Sequence, residues 1–135
     1  MQFLLARLFQ KQSWLYVSDN TNVRWIKIFH LYKGFFRKKT FPSYFVKSSA
    51  RVVEPPRIVY KGFKYKYKIK GDICRAFIIR SMYNKQSKSF FKIWFKDSSC
   101  ILIKKKFNTS SKHLFGPIPK LIRRKKTLTL FKKIL

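Results

Sequence analysis

The run FKYKYKIKGDICRAFIIR, Phe63 to Arg80, changes character at its middle. In its first half Phe63, Tyr65, Tyr67 and Ile69 alternate with Lys64, Lys66, Lys68 and Lys70. A period of two puts the two sets on opposite faces of an extended strand, one apolar and one carrying four ammonium groups. Gly71 and Asp72 interrupt the alternation with turn chemistry, and a nearly continuous apolar run follows from Ile73 to Ile79. A strand buried on both faces reads this way. The stretch therefore predicts two strands, one lying between a core and a polyanion and the other set inside the core.

The flanks continue in the same idiom. Ser13 to Ser18 (SWLYVS) and Val23 to Tyr32 are rich in aromatic and β-branched residues, and Asp19-Asn20-Thr21-Asn22 between them reads as a turn, so the pair predicts a hairpin. After the loop KGFFRKKTFP, Tyr44 to Val46 and Arg51 to Val53 read as two strand pieces split by Lys47-Ser48-Ser49-Ala50. Pro55 and Pro56 cannot donate to a ladder, and Ile58 to Tyr60 is a brief strand beyond them. Past Arg80, a polar loop (Ser81 to Ser89) leads to a second hairpin signal, Phe90 to Phe95 and Cys100 to Lys104 around Lys96-Asp97-Ser98-Ser99. Phe115-Gly116-Pro117-Ile118-Pro119 marks a boundary, after which Lys120 to Lys126 suits a short helix and Thr127 to Leu135 fits helix or strand equally. Seven or eight short strands with at most two short helices predict a mainly β fold, a small barrel or sandwich.

Charge decides which partners are plausible. The 135 residues carry 33 Lys and Arg against four acids, a formal net charge of +29. Such a surface repels itself and calls for counter-charge from a partner. Hydrophobic residues at 46% and aromatics at 19% argue against a disordered basic tail. A folded basic domain on a polyanion satisfies both facts, with nucleic acid first and an anionic membrane surface second. No stretch approaches the roughly 18 consecutive apolar residues of a transmembrane helix. The opening MQFLLARLFQK superficially resembles a transit peptide and is read instead as an N-terminal extension, residues 1–12. Phe, Ile, Lys, Asn and Tyr, all with A/T-rich codons, supply nearly half the chain, which points to an A/T-rich genome such as an organelle's.

The residue inventory argues against a nuclease or RNA-modifying enzyme. Metal-dependent nucleases need several convergent carboxylates, whereas Asp19, Glu54, Asp72 and Asp97 are the full complement and the three aspartates sit beside turn residues. His30 and His113 lack any spacing that completes a zinc site or a nucleophilic triad, and four glycines form no phosphate loop. Neither a metal, nor a cofactor, nor a small-molecule substrate is expected. Cys74 and Cys100 read as reduced core residues.

Four ordered blocks then match a known family: VSDNTNVRWIKIF (Val17 to Phe29), KGDICRAFIIRS (Lys70 to Ser81), FKDSSCILI (Phe95 to Ile103) and LFGPIPKLIRR (Leu114 to Arg124). They resemble the V-A-D-N-S-G-A-R, K-K-G-D-x-x-K/R-A-x-x-V-R, F-D-x-N-A-x-V and I-F-G-P-V segments of the large-subunit ribosomal protein L-fourteen family. The resemblance carries over Asp19, Asn20 and Arg24; Lys70, Gly71, Asp72, Arg75, Ala76 and Arg80; Asp97; and Phe115, Gly116, Pro117 and Arg123. Asn22 replaces the family's glycine, a substitution that left-handed asparagine would tolerate. Leu121 stands at a customarily acidic position, the C-terminal L-A-P-E-V-L is missing, and the Gly34 to Lys70 segment is expanded.

The resemblance implies a five-stranded β-barrel with a projecting hairpin, spanning residues 13–135, and a helical C-terminal part from about residue 119. It also implies a structural, non-enzymatic role in the large subunit. The A/T-driven composition, the divergence from the family pattern and the scarcity of acids point to a mitochondrial ribosome, with a plastid as the alternative compartment. The implied partners are large-subunit rRNA, small-subunit rRNA across an intersubunit bridge, and neighbouring large-subunit proteins, with no membrane. The phosphate-contacting candidates are Arg24, Lys64, Lys66, Lys68, Lys70, Arg75, Arg80, Arg123 and Arg124, with Lys104, Lys105 and Lys106 as a second patch. A cationic membrane-surface protein, or a general nucleic-acid binder outside the ribosome, is the rival reading.

Overall fold

A computed structural model describes residues 9–32, 37–40, 42, 44–55, 67–82, 95–104, 109, 111, 113–118 and 133–134. Five strands close into a barrel: β1 (Trp14–Val17), β2 (Val23–Leu31), β3 (Phe45–Val53), β4 (Ile73–Arg80) and β5 (Ser99–Ile103). Consecutive strands pair antiparallel, and β5 closes on β1 in parallel through Tyr16–Ser99 and Val17–Cys100. A separate two-stranded ribbon joins β6 (His113–Leu114) to β7 (Lys133–Ile134). The predicted hairpin around Asp19 to Asn22 is β1–β2. The C-terminal end of the chain, open between helix and strand in the sequence, is strand at Lys133–Ile134. The helix expected over 120–126 and the strand pieces at 58–60 and 90–94 lie outside the described residues.

Alternation sorts the apolar residues into two cores. Cys74, Ala76 and Ile78 of β4 point inward with Leu15, Ile26 and Leu102, while Phe77 and Ile79 point outward with Ile101, Ile103, Leu114 and Ile118. The outer cluster is where the segment after β5 covers the barrel wall. A five-stranded barrel is narrow, so part of its interior must be small. Ala50, Ala76, Ser48 and the free thiols Cys74 and Cys100 meet that need. Burial pushes both thiols above their ordinary range, most strongly for Cys100, so they are poor nucleophiles where they stand. The inner core also takes in Phe9, from the stretch read as an extension, whose backbone bonds Thr40 in both directions.

Three sequence expectations change here. Lys47 to Ala50 is not a break: β3 runs through it, because buried Ser48 donates its hydroxyl to the Cys74 carbonyl at 3.2 Å and Ala50 fills the interior. Ile73, expected in the core, is 66% exposed on the outer face, and β4 is buried on both faces only from Ala76 onward. Ile69, expected on an apolar face, is 71% exposed because it opens the turn that precedes β4. In that turn the Asp72 amide donates to the Ile69 carbonyl, Asp72 Oδ2 accepts from the Ile69 amide at 2.9 Å, and Gly71 takes φ +95°. The cationic half of the opening run, through Lys66, lies outside the described residues.

Candidate nucleic-acid interface

Register across β2, β3 and β4 assembles a cationic outer face that no short stretch of sequence displays. On β3, Lys47, Ser49 and Arg51 point outward between buried Val46, Ser48 and Ala50. Lys47 lies opposite Arg75 on β4 and opposite His30 on β2, and Ser49 lies opposite Lys27. Like charges in directly opposed positions repel, a cost of up to about 1 kcal/mol that a bound anion removes. The chain has no carboxylate to spare for this face. Asp19 is buried, Glu54 clasps Arg24 at 2.7 Å, Asp72 holds its turn, and Asp97 lies 3.5 Å from Arg80.

The four acids organise the chain rather than a reaction. Asp19 Oδ1 accepts from the Thr21 amide and hydroxyl, and Oδ2 accepts from the Leu102 amide of β5 at 2.9 Å. Burial raises its pKa, and those same hydrogen bonds pull it part of the way back. One carboxylate thus ties the β1–β2 turn to the barrel closure. Asn22 ties the same turn to the entry of β4: its amide group donates to the Lys68 carbonyl at 2.8 Å and accepts from the Lys68 amide at 3.2 Å. A side chain here pairs as a strand backbone would. Asn22 does not adopt the left-handed conformation that its place in the motif suggested; among the described residues only Gln12 does so without being glycine. Asn22→Ala is expected to speed hydrogen exchange at the Lys68 amide about tenfold or more, for about 1–2 kcal/mol of lost local stability. Unchanged exchange would show that the pairing holds nothing.

The expected phosphate contacts separate into groups. Arg75, Lys70 and Lys104 are exposed, and Arg75 belongs to the assembled face. Lys68 is half-buried and lines a recess of about 350 Å³ with Tyr67, Asp72 and Ile73. Arg24 is engaged with both Glu54 oxygens and the Thr21 carbonyl. Arg80 is only 6% exposed: Nε donates to Ser99 Oγ at 2.6 Å, and its guanidinium packs under Gly116, where φ is +87°. In the chain itself Arg80 is a buttress between β4, β5 and the 113–118 segment. Lys64, Lys66, Lys105, Lys106, Arg123 and Arg124 lie outside the described residues. Of the remaining motif positions, Asn20, Phe115 and Pro117 are exposed. Lys27, Lys47 and Arg51 were not singled out in the sequence; outward parity along β3 could have found Lys47 and Arg51, whereas Lys27 joins them only through the β2–β3 register.

Comparison with known proteins agrees with the topology. The profile described as ribosomal protein L14p/L23e matches residues 8–135. The large ribosomal subunit protein uL14m of Tetrahymena pyriformis is 32% identical over 124 residues, spanning 92% of this chain and 97% of that protein. A family profile covering nearly the whole sequence, on a closed five-stranded barrel whose acids are all structural, leaves one assignment: the chain belongs to the ribosomal protein L14p/L23e family and is a structural protein of the ribosome, not an enzyme.

Proposed function

We propose that this protein is a mitochondrial large-subunit constituent that grips large-subunit rRNA on the outer face of β2–β4 and contributes to an intersubunit bridge. The opposed pair Lys47–Arg75, with no carboxylate available to neutralise it, is the observation that carries the RNA reading. The likeness to uL14m supports the compartment and the subunit. Even if every acid were paired internally, the formal excess of +29 would remain to be met by phosphate. The mechanism is electrostatic clamping: each phosphate neutralised releases condensed counterions, and rRNA segments that repel one another are held by one rigid cationic wall. Neighbouring large-subunit proteins and small-subunit rRNA complete the set of partners.

Salt dependence tests this reading. Each phosphate contact contributes about 0.7–0.9 to the log–log slope of affinity against salt. Lys47→Gln with Arg75→Gln is expected to make the slope for rRNA binding shallower by up to about two units. Replacing Lys64, Lys66 and Lys68 together by Gln is expected to remove up to about three. An unchanged slope in the first variant would return the outer face to bare solvent. For the bridge, ultraviolet cross-linking of intact ribosomes should join this chain to small-subunit rRNA, and adducts confined to large-subunit rRNA would remove that part of the proposal.

A further inference from the structure

The outer face of β1–β2 carries a feature the cationic wall does not explain. Trp14, Trp25 and Phe29 are 49%, 40% and 41% exposed, although Trp and Phe gain most from burial. They are arranged around one cation. Lys27 pairs across the strands with Trp14, and Trp25 and Phe29 flank it two residues away on the same strand and face. Tyr16 pairs with Trp25 and meets it edge-on, ring centroids 5.5 Å apart, which braces the indole. Part-exposed rings gathered around one cation on a single strand pair are the kind of apolar surface that marks a binding site.

We propose that this patch is a stacking platform for unpaired nucleotides of the rRNA, with Trp14 and Trp25 taking base faces and Lys27 the intervening phosphate. The proposal rests on the RNA-binding reading above and adds a second mode to it. An RNA occupant fits better than a protein because Lys27 sits at the centre of the patch with no carboxylate of this chain near it in the register. A nucleotide supplies an aromatic face and an anion in one unit, whereas a protein would have to bring an acid to the same point. Stacking on aromatic side chains accepts any base, so the platform recognises single-stranded RNA without reading its sequence.

Two measurements test it. Full-length chain with Trp14→Ala and Trp25→Ala is expected to bind polyuridylate roughly ten- to a hundredfold more weakly than the native protein, with the salt slope unchanged because no phosphate contact is lost. Equal affinity would overturn the proposal, and so would a loss of affinity accompanied by a shallower slope. In assembled large subunits, a photoreactive benzoylphenylalanine placed at position 25 should cross-link to rRNA. A cross-link to a protein instead, or none, would overturn the platform while leaving the ribosomal reading intact. Native chain that fails to bind RNA or to enter large subunits would bring down the RNA-binding reading itself.

Discussion

Replacing Asp19 by alanine is expected to destabilise the protein by about 2–4 kcal/mol, a large share of the roughly 5–15 kcal/mol that holds a domain together. The substitution removes the acceptor for the Leu102 amide, whose N–H is buried inside β5, and for both donors of Thr21. A buried donor left without a partner costs about 1–3 kcal/mol, and the half-buried Thr21 groups add less because water reaches them. Asp19→Asn should cost less than alanine, since its carbonyl can still serve one side, but its NH2 must then face a donor on the other. The pH dependence has a definite sign. The folded-state pKa of Asp19 lies above its ordinary value because burial disfavours the ion. Its contribution is therefore fully present below the ordinary carboxylate range and declines as pH rises through the raised pKa. Asp19→Asn removes that decline, so the stability gap between the native protein and the variant should narrow with rising pH. Urea melts across that range measure the gap, and a gap that widens would contradict the burial-driven shift.

Gly116→Ala is expected to cost about 3–5 kcal/mol, against about 1 kcal/mol for Gly71→Ala. Both glycines have positive φ, +87° and +95°, so both variants meet the left-handed penalty of a Cβ-bearing residue. They differ in what surrounds the added carbon. At Gly71 nothing lies within 4 Å, whereas at Gly116 a Cβ would overlap Nη1 of Arg80. That guanidinium cannot swing aside cheaply, because it is buried and held by Ser99 and Asp97. Moving it leaves a buried charge short of its partners, which dominates the estimate. Equal losses in the two variants would mean that Arg80 is not pinned beneath Gly116.

Local chemistry in the sequence carried the β1–β2 hairpin and the Gly71-Asp72 turn, where turn residues and strand residues are sharply separated. Parity also located β4, but not where burial on both faces begins. Ile73 stays outside because cover arrives only at Phe77, from a segment more than 30 residues further along the chain. Lys47 to Ala50 looks polar enough for a loop, and only the distant Cys74 carbonyl makes buried Ser48 acceptable in a strand. Arg80 reads as one more surface cation until Ser99, Asp97 and Gly116 enclose it. The Lys27, Lys47 and Arg75 face depends on three-strand register, and the irregularities between Trp25 and Ile26 and between Ile28 and His30 shift that register beyond what alternation alone can supply. Asn22 was expected to rely on left-handed backbone freedom, whereas its side-chain amide, paired with the Lys68 backbone, is what holds it in the turn.

The most direct measurement follows a tagged copy of the full chain through a density gradient of mitochondrial lysate while salt is raised stepwise. The chain should travel with intact large subunits at low salt and leave them over a narrow interval as salt increases, consistent with many phosphate contacts made at once. A tag confined to light fractions while large subunits remain intact, or a bound tag indifferent to salt, would contradict a protein held on rRNA by its cationic wall.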